Sequence, residues 1–451
     1  MRMNLFVISV GLFILAAIAV PVNAAHMPEY AEDYDPTART AVVPLQVKAA
    51  YSGTDMFFQF QWESDKGQYH DYYIYKEGQW VKGGGSWPLK SSDAALYEDR
   101  LSFNLDDGKV ANFATQGCFV TCHDDMAEMP NHPSTDELKA SAHFSTKSEM
   151  RKYILEPRTG AGYDSLKSAE EMDQIRAEGK FLDMWMWRAS RSNPIGYVDD
   201  FWIFDYRNSD NGSGPFTTNF DTEKGQPTYM FDESKTGFKA YSSLEEWMAP
   251  DQENYYLSED NSVPFDPTVQ FAEGSVIPRR FLKTPTDSRG DITGSGVWSD
   301  GKWTMEMKRK LDTGHPLDDK VLEDGKTYDI AFQVHKDKST GRWHYVSLVK
   351  TLGLGVDADI KAVKISGDSP DWSVITGTDV EQFLPGVASI EYLQSDAHPG
   401  KGGVIAGTAC TTCHTVSDTV PLSVLAPMAE AKWLETVKPT PAPTTPAPTT
   451  P

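Results

Sequence analysis

Two short stretches carry residues whose types and order could hold a redox cofactor. Cys118 and Cys122 precede His123 in Gly117-Cys118-Phe119-Val120-Thr121-Cys122-His123, and Cys410 and Cys413 precede His414 in Cys410-Thr411-Thr412-Cys413-His414. In such an order the two thiols add to the vinyl groups of a haem as thioethers, and the imidazole that follows faces the iron as an axial ligand. The downstream stretch has the usual two residues between its cysteines, whereas the upstream one has three. Together they use all 4 cysteines, and each ends in His although only 10 of 451 residues are His, so chance explains the pair poorly. A disulfide within either pair would close a loop too small to stabilise much. A zinc site built from the four cysteines leaves both histidines without a reason. Two covalently bound c-type haems account for every residue of both stretches.

An electron-transfer haem needs a second axial ligand, usually His or Met. Outside the two motifs stand His26, His70, His132, His143, His315, His335, His344 and His398. His344 shares strand parity with Val346 and Leu348, which points it to an apolar face. A lone inward His is more often a hydrogen-bonded core residue than a ligand. His335 has the parity of a polar face, which argues against it. His132, His143, Met126 and Met129 are near the first motif in sequence. For the second motif, His398 lies twelve residues before Cys410 and Met428 fourteen after His414, and the residues alone leave the two nearly even.

Strands must position these groups. Leu45, Val47, Ala49 and Tyr51 alternate with polar or small residues, then a Ser52-Gly53-Thr54-Asp55 turn leads to alternating Met56, Phe58, Phe60 and Trp62. This pattern predicts an antiparallel hairpin with one buried face. Leu101, Phe103 and Leu105 repeat it just before the first motif, and Trp303–Met307, Tyr328–Val334 and Trp343–Leu348 repeat it downstream. Between about Asp125 and Gly179 the signals are helical or irregular. Thr146–Glu149 and Ser168–Glu171 resemble capping boxes, Gly179 reads as a helix stop, and a strand is expected at Phe181–Arg188. Residues from about Asn208 to Pro278 are rich in Asn, Gly, Ser, Asp and Pro and read as a long, partly ordered insertion. The expected class is mainly β: an antiparallel β-sandwich with a helical or irregular middle and a small C-terminal haem segment.

Arg2, the apolar run Leu5–Val20 and Val22-Asn23-Ala24 have the three parts of a secretory signal. The expected divisions are therefore a signal peptide over 1–24, a haem-binding sandwich over 25–365, a C-terminal haem segment over 366–437 and a Pro/Thr-rich tail over 438–451. No later stretch is apolar and long enough for a membrane span in the mature chain, and the expected location is periplasmic or extracellular. The formal charge of −23 disfavours gripping nucleic acid and suits basic protein partners or simply a solvated surface.

Several stretches taken together resemble the haem-binding domain of the ethylbenzene dehydrogenase gamma subunit and related electron-transfer subunits of the DMSO reductase family. They are Tyr97–Leu101, Gly117–Asp125, Arg151–Ile154, Asp183–Asp200, Trp303–Leu311 and Tyr328–Leu354, covering most of residues 40–365. Those subunits hold a b-type haem between a Met and a Lys within a β-sandwich. Here His344 stands at the Lys position and Cys118–His123 near the Met position, so the resemblance implies His123 and His344 as paired ligands of a covalent haem. Leu384–Leu393 followed by His398-Pro399-Gly400 is similar to the segment before the CxxCH of c-type relatives, which favours His398 over Met428. The implied role is electron transfer between redox protein partners, a donor and an acceptor, with a molybdenum oxidoreductase as one such partner. Two other readings stay open: a haem enzyme with one open iron site, such as a peroxidase or small-oxyanion reductase, and a haem- or ligand-binding sensor module.

Overall fold

The computed structural model describes residues 42–383 apart from 86–95, 124, 128–131, 161, 250–251, 337 and 339–343. The expected signal peptide, the Cys410–His414 motif, His398, Met428 and the Pro/Thr tail all lie outside the described residues.

The alternating stretches form strands, although of the described part of Trp343–Leu348 only Tyr345–Val346 is one. β1 (Val42–Tyr51) and β2 (Asp55–Glu63) pair antiparallel with Val47 opposite Phe60 and Ala49 opposite Phe58. Ser52 Oγ accepts the backbone N–H of Asp55 at 3.0 Å and closes the turn between them. The other strands of the same sheet are β3 (Arg100–Asp106), β4 (Leu182–Arg188), β5 (Asp199–Ile203), β6 (Arg207–Ser209), β7 (Thr293–Ser299), β8 (Lys302–Lys310) and β9 (Thr327–His335). β10 (Tyr345–Val346), β11 (Lys350–Leu354), β12 (Ile360–Lys364) and β13 (Thr378–Phe383) complete it. The strand order is β7-β8-β2-β1-β12-β11-β9-β3-β4-β5-β6, with β10 on β9 and β13 between β1 and β10. All pairs are antiparallel except β1–β12 and β11–β12.

This sheet folds over on itself. Trp62 on β2 meets Trp187 on β4 edge-on at 5.6 Å, and Trp303 on β8 meets the same ring at 5.0 Å. At the sheet's ends the Val198 amide donates to the Ile292 carbonyl at 3.1 Å, just before β5 and β7. One apolar core fills the space enclosed, and it contains the inward-alternating residues of β1, β2, β3, β8 and β9. The fold is mainly β, as the alternation implies.

Ser168 and Glu171 form the reciprocal capping box of the helix α3 (Ala169–Ala177), and Gly179 follows it at φ +80°. Thr146–Glu149 starts no helix; the other box forms at Ser134 and Glu137, on the helix α2 (Thr135–Ala140). The Asn208–Pro278 region is ordered where described and packs Phe231, Tyr241 and Trp247 with Tyr72, Trp80 and Phe281 in a separate core. Its strands are about three residues long, such as Tyr229–Phe231 on Ser262–Pro264. That is too short to alternate visibly, so its aromatics were hidden by turn-forming neighbours.

The outer face of β9, β3 and β4 positions the site. It presents Ala331, Gln333 and His335 from β9, Arg100, Ser102 and Asn104 from β3, and Met184, Met186 and Arg188 from β4. The helix α1 (Phe113–Gln116), a following 3-10 turn (Gly117–Thr121) and the chain around Ile154 cover it with a second apolar cluster.

Candidate functional site

The three residues between Cys118 and Cys122 complete the 3-10 turn. Thr121 Oγ1 donates to the Cys118 carbonyl at 2.7 Å, and the Cys122 amide donates to the Phe119 carbonyl at 2.9 Å. Gly117 lets the turn lie flat on the sheet. Its φ of +54° is in the left-handed region, and a Cβ there would stand 2.9 Å from Val349 Cγ2 and 3.3 Å from Ala331 Cβ. Gly117→Ala is therefore expected to cost about 1–3 kcal/mol, read as a lowered midpoint in a urea titration with an unchanged slope.

Cys118 is buried, Cys122 is half-buried and His123 is fully buried. The His123 ring stacks on Tyr153 with centroids 3.8 Å apart and planes at 3°, and its Nε2 is 2.9 Å from the Tyr153 carbonyl oxygen. Tyr153 is fixed in turn: its hydroxyl donates to Asp125 Oδ1 at 2.7 Å, and the Arg158 guanidinium lies 3.5 Å from its ring centroid. The backbone N–H of His123 donates to Met126 Sδ at 3.4 Å, which commits Met126 to the turn.

On the same sheet face, His344 stacks on His335 at 4.9 Å and 19°. His344 does keep the parity of Val346, as expected. That parity leads away from the sandwich core, since it is Tyr345 that packs there, opposite Val334. The polar parity of His335 is likewise no sign of exposure, because the outer face of β9 is covered: His335 is 9% exposed and its Nδ1 has no hydrogen-bond partner among the described residues. His335 is the residue sequence reasoning set aside and the structure brings in. Ala331, under the cysteine turn, and His335 are four residues apart on β9, about 13 Å at ~3.3 Å per residue. Lys152, next to Tyr153, adds its charge to the field on His335; burial first, then His344, Arg100, Lys152 and Arg207, hold its pKa well below the usual histidine value. Other histidines are engaged elsewhere: His143 Nε2 with Asp205 at 2.6 Å, His315 Nδ1 with Asp291 at 2.8 Å, and His70 with Asp71.

Guanidinium groups crowd this pocket. In register across the sheet, His335 stands opposite Arg100 and Arg100 opposite Arg188. Arg191 pairs with Glu98, Arg188 with Asp199, and Glu98 is 3.6 Å from Arg100 Nε. Even so, Arg100 Nε and Nη2, Arg188 Nε and Arg207 Nε are buried without a hydrogen-bond partner among the described residues. Burial, and then the neighbouring arginines, hold Arg100 and Arg207 well below their usual pKa. Such a set of unspent N–H donors matches carboxylates presented by a ligand. The alternation of Arg100, Ser102 and Asn104 against Leu101, Phe103 and Leu105 was its only trace in the sequence.

The family of ethylbenzene dehydrogenase matches residues 19–347, which include every site residue from Arg100 to His344. The chain belongs to that family. A further match, at 36% identity over 78 residues, is cytochrome c-552 of Stutzerimonas stutzeri; it covers 17% of this chain and 24% of that protein. Cys410, Cys413, His414 and His398 stand beyond the stretch matched to the ethylbenzene dehydrogenase family. Among the described residues no helix is long and apolar enough to cross a membrane. The residues here suit a covalent haem on three counts: two thiols and an imidazole on one turn, His335 on the strand beneath it with the His344 ring stacked on it, and buried guanidinium donors for the carboxylates of the macrocycle.

Proposed function

We propose that this chain is a secreted dihaem c-type cytochrome that passes single electrons between redox protein partners. The observation that carries the reading is the packing of the Cys118–His123 turn against the strand face on which His335 and His344 stack. Family membership and the cytochrome c-552 match support it. When bound, the haem iron supplies a one-electron couple. Cys118 and Cys122 would anchor the group, His123 and His344 would hold its iron, and Arg100 and Arg207 would neutralise its carboxylates. Binding through His123 Nε2 replaces that atom's contact with the Tyr153 carbonyl. The ring's stacking on Tyr153 limits how far it moves. Cys410, Cys413 and His414, with His398 as second ligand, form the other haem segment, within 366–437. The sandwich spans 25–365, the signal peptide 1–24 and the tail 438–451. With two protein ligands on each iron there is no open position for substrate, which makes the chain a relay. A molybdenum oxidoreductase is the partner class to test first.

A pyridine haemochrome assay on the mature protein should find two covalently held haems per chain after acid–acetone extraction. One haem or none would overturn the dihaem reading.

A further inference from the structure

Five buried carboxylates form two triplets that share Asp319. Asp183 is on β4, Asp200 on β5, Asp210 just past β6, and Asp318 and Asp319 on the chain after β8. None is more than 7% exposed. Carboxylate oxygens of Asp183, Asp200 and Asp319 lie within 4.8 Å of one another, and so do those of Asp210, Asp318 and Asp319. Arg309 is the cation paired with them: its Nη1 donates to Asp183 Oδ2 at 2.7 Å and to Asp319 Oδ1 at 2.6 Å. One guanidinium does not balance five carboxylates. The excess shows in the hydrogen bonding. Neither oxygen of Asp210, which is 3% exposed, has a partner among the described residues, and Oδ2 of the fully buried Asp200 and Oδ1 of Asp183 have none. Leaving a buried carboxylate oxygen unsatisfied is costly, and Asp183, Asp200 and Asp210 all carry such atoms.

We propose that Asp183, Asp200, Asp210, Asp318 and Asp319 form a calcium site that ties β4, β5 and the end of β6 to the chain after β8. The donors of both triplets are carboxylate oxygens, the hard ligands that calcium prefers. Magnesium demands a tighter octahedron and keeps its waters, and a cluster this rich in buried carboxylates leaves little room for them. Without the cation, burial and mutual repulsion push Asp200 and Asp210 well above the usual carboxylate range. On the outer side, Asp291 and His315 are half-buried and grouped with Asp319, and they mark the side open to solvent. The site owes nothing to the haem reading.

The full mature chain is the sample for the test. Purified without chelator, it should carry calcium at about one ion per chain, and its Tm in about 1 mM calcium chloride should exceed that in EDTA by about 5 °C or more. The same concentration of magnesium chloride should give less than half that rise. The double substitution Asp200→Asn with Asp210→Asn should remove the calcium response, while its Tm in EDTA equals or exceeds that of the unsubstituted chain. Should the double variant fail to fold, the calcium, magnesium and EDTA comparison on the unsubstituted chain decides. No retained calcium and equal Tm values in calcium and EDTA would overturn the proposal. An equal rise with magnesium, or a calcium response that survives the double substitution, would overturn it too.

Discussion

In the haem-loaded protein, His344→Ala should turn one haem from low spin to high spin and open it to carbon monoxide. On the proposed ligation, removing the imidazole would leave that iron with His123 alone on the protein side, and a five-coordinate iron binds carbon monoxide where a six-coordinate one does not. About half of the Soret absorbance should respond, because the proposed second haem, on His414 and His398, would keep both of its ligands. His335→Ala is the necessary companion. The His335 ring stacks on His344 at 4.9 Å and is 9% exposed, so it orients the His344 ring and closes the pocket behind it. Its loss should leave the haem low spin and shift its potential. If His335→Ala gave the high-spin, carbon-monoxide-binding form and His344→Ala did not, His335 would be the ligand. If neither did, the pairing of this strand face with the cysteine turn would be wrong.

The legibility of this molecule in its sequence follows the length of its elements. β2 and β8 are nine residues each, long enough for Phe58, Phe60 and Trp62 or Trp303, Met305 and Met307 to show the period of two, and all of them are in the core. The cysteine motif was legible from residue type and order alone. What was hidden is which side of a strand is wet. Polar parity on β9 and β3 reads as solvent, yet α1, the 3-10 turn and the chain around Ile154 bury that face. His335 and Arg100 therefore look like surface residues in one dimension and are buried in three. The carboxylate cluster was hidden for a different reason. Asp183, Asp200, Asp210 and Asp319 are spread over 137 positions and meet only because the sheet folds β4 onto β8. An Asp opposite a Trp, as Asp200 stands opposite Trp185, has no periodic signature.

Arg309→Met should be the most destabilising single substitution in the sandwich core. Arg309 is 1% exposed, and its guanidinium lies 4.4 Å from the Trp185 ring centroid while it holds Asp183, Asp319 and the Lys320 carbonyl. Methionine replaces the aliphatic stem but returns no charge, so two buried carboxylates lose their counter-ion together. Breaking a buried pair from one side costs about 3–5 kcal/mol. At about 2–4 °C per kcal/mol in a domain of this size, the Tm should fall by about 6–20 °C. Adding Asp183→Asn to Arg309→Met should recover part of that loss, because the amide carries no charge that needs an arginine. The coupling between the two positions, taken from a double-mutant cycle, should exceed about 1 kcal/mol in favour of the native pair. Additivity of the two substitutions would show instead that Arg309 acts by packing on Trp185. Calcium gives a second axis to the same cycle. A cation bound among the carboxylates partly replaces the lost guanidinium charge, so the penalty of Arg309→Met should be larger in EDTA than in calcium chloride. An equal penalty in both would separate the arginine from the carboxylates it is drawn against.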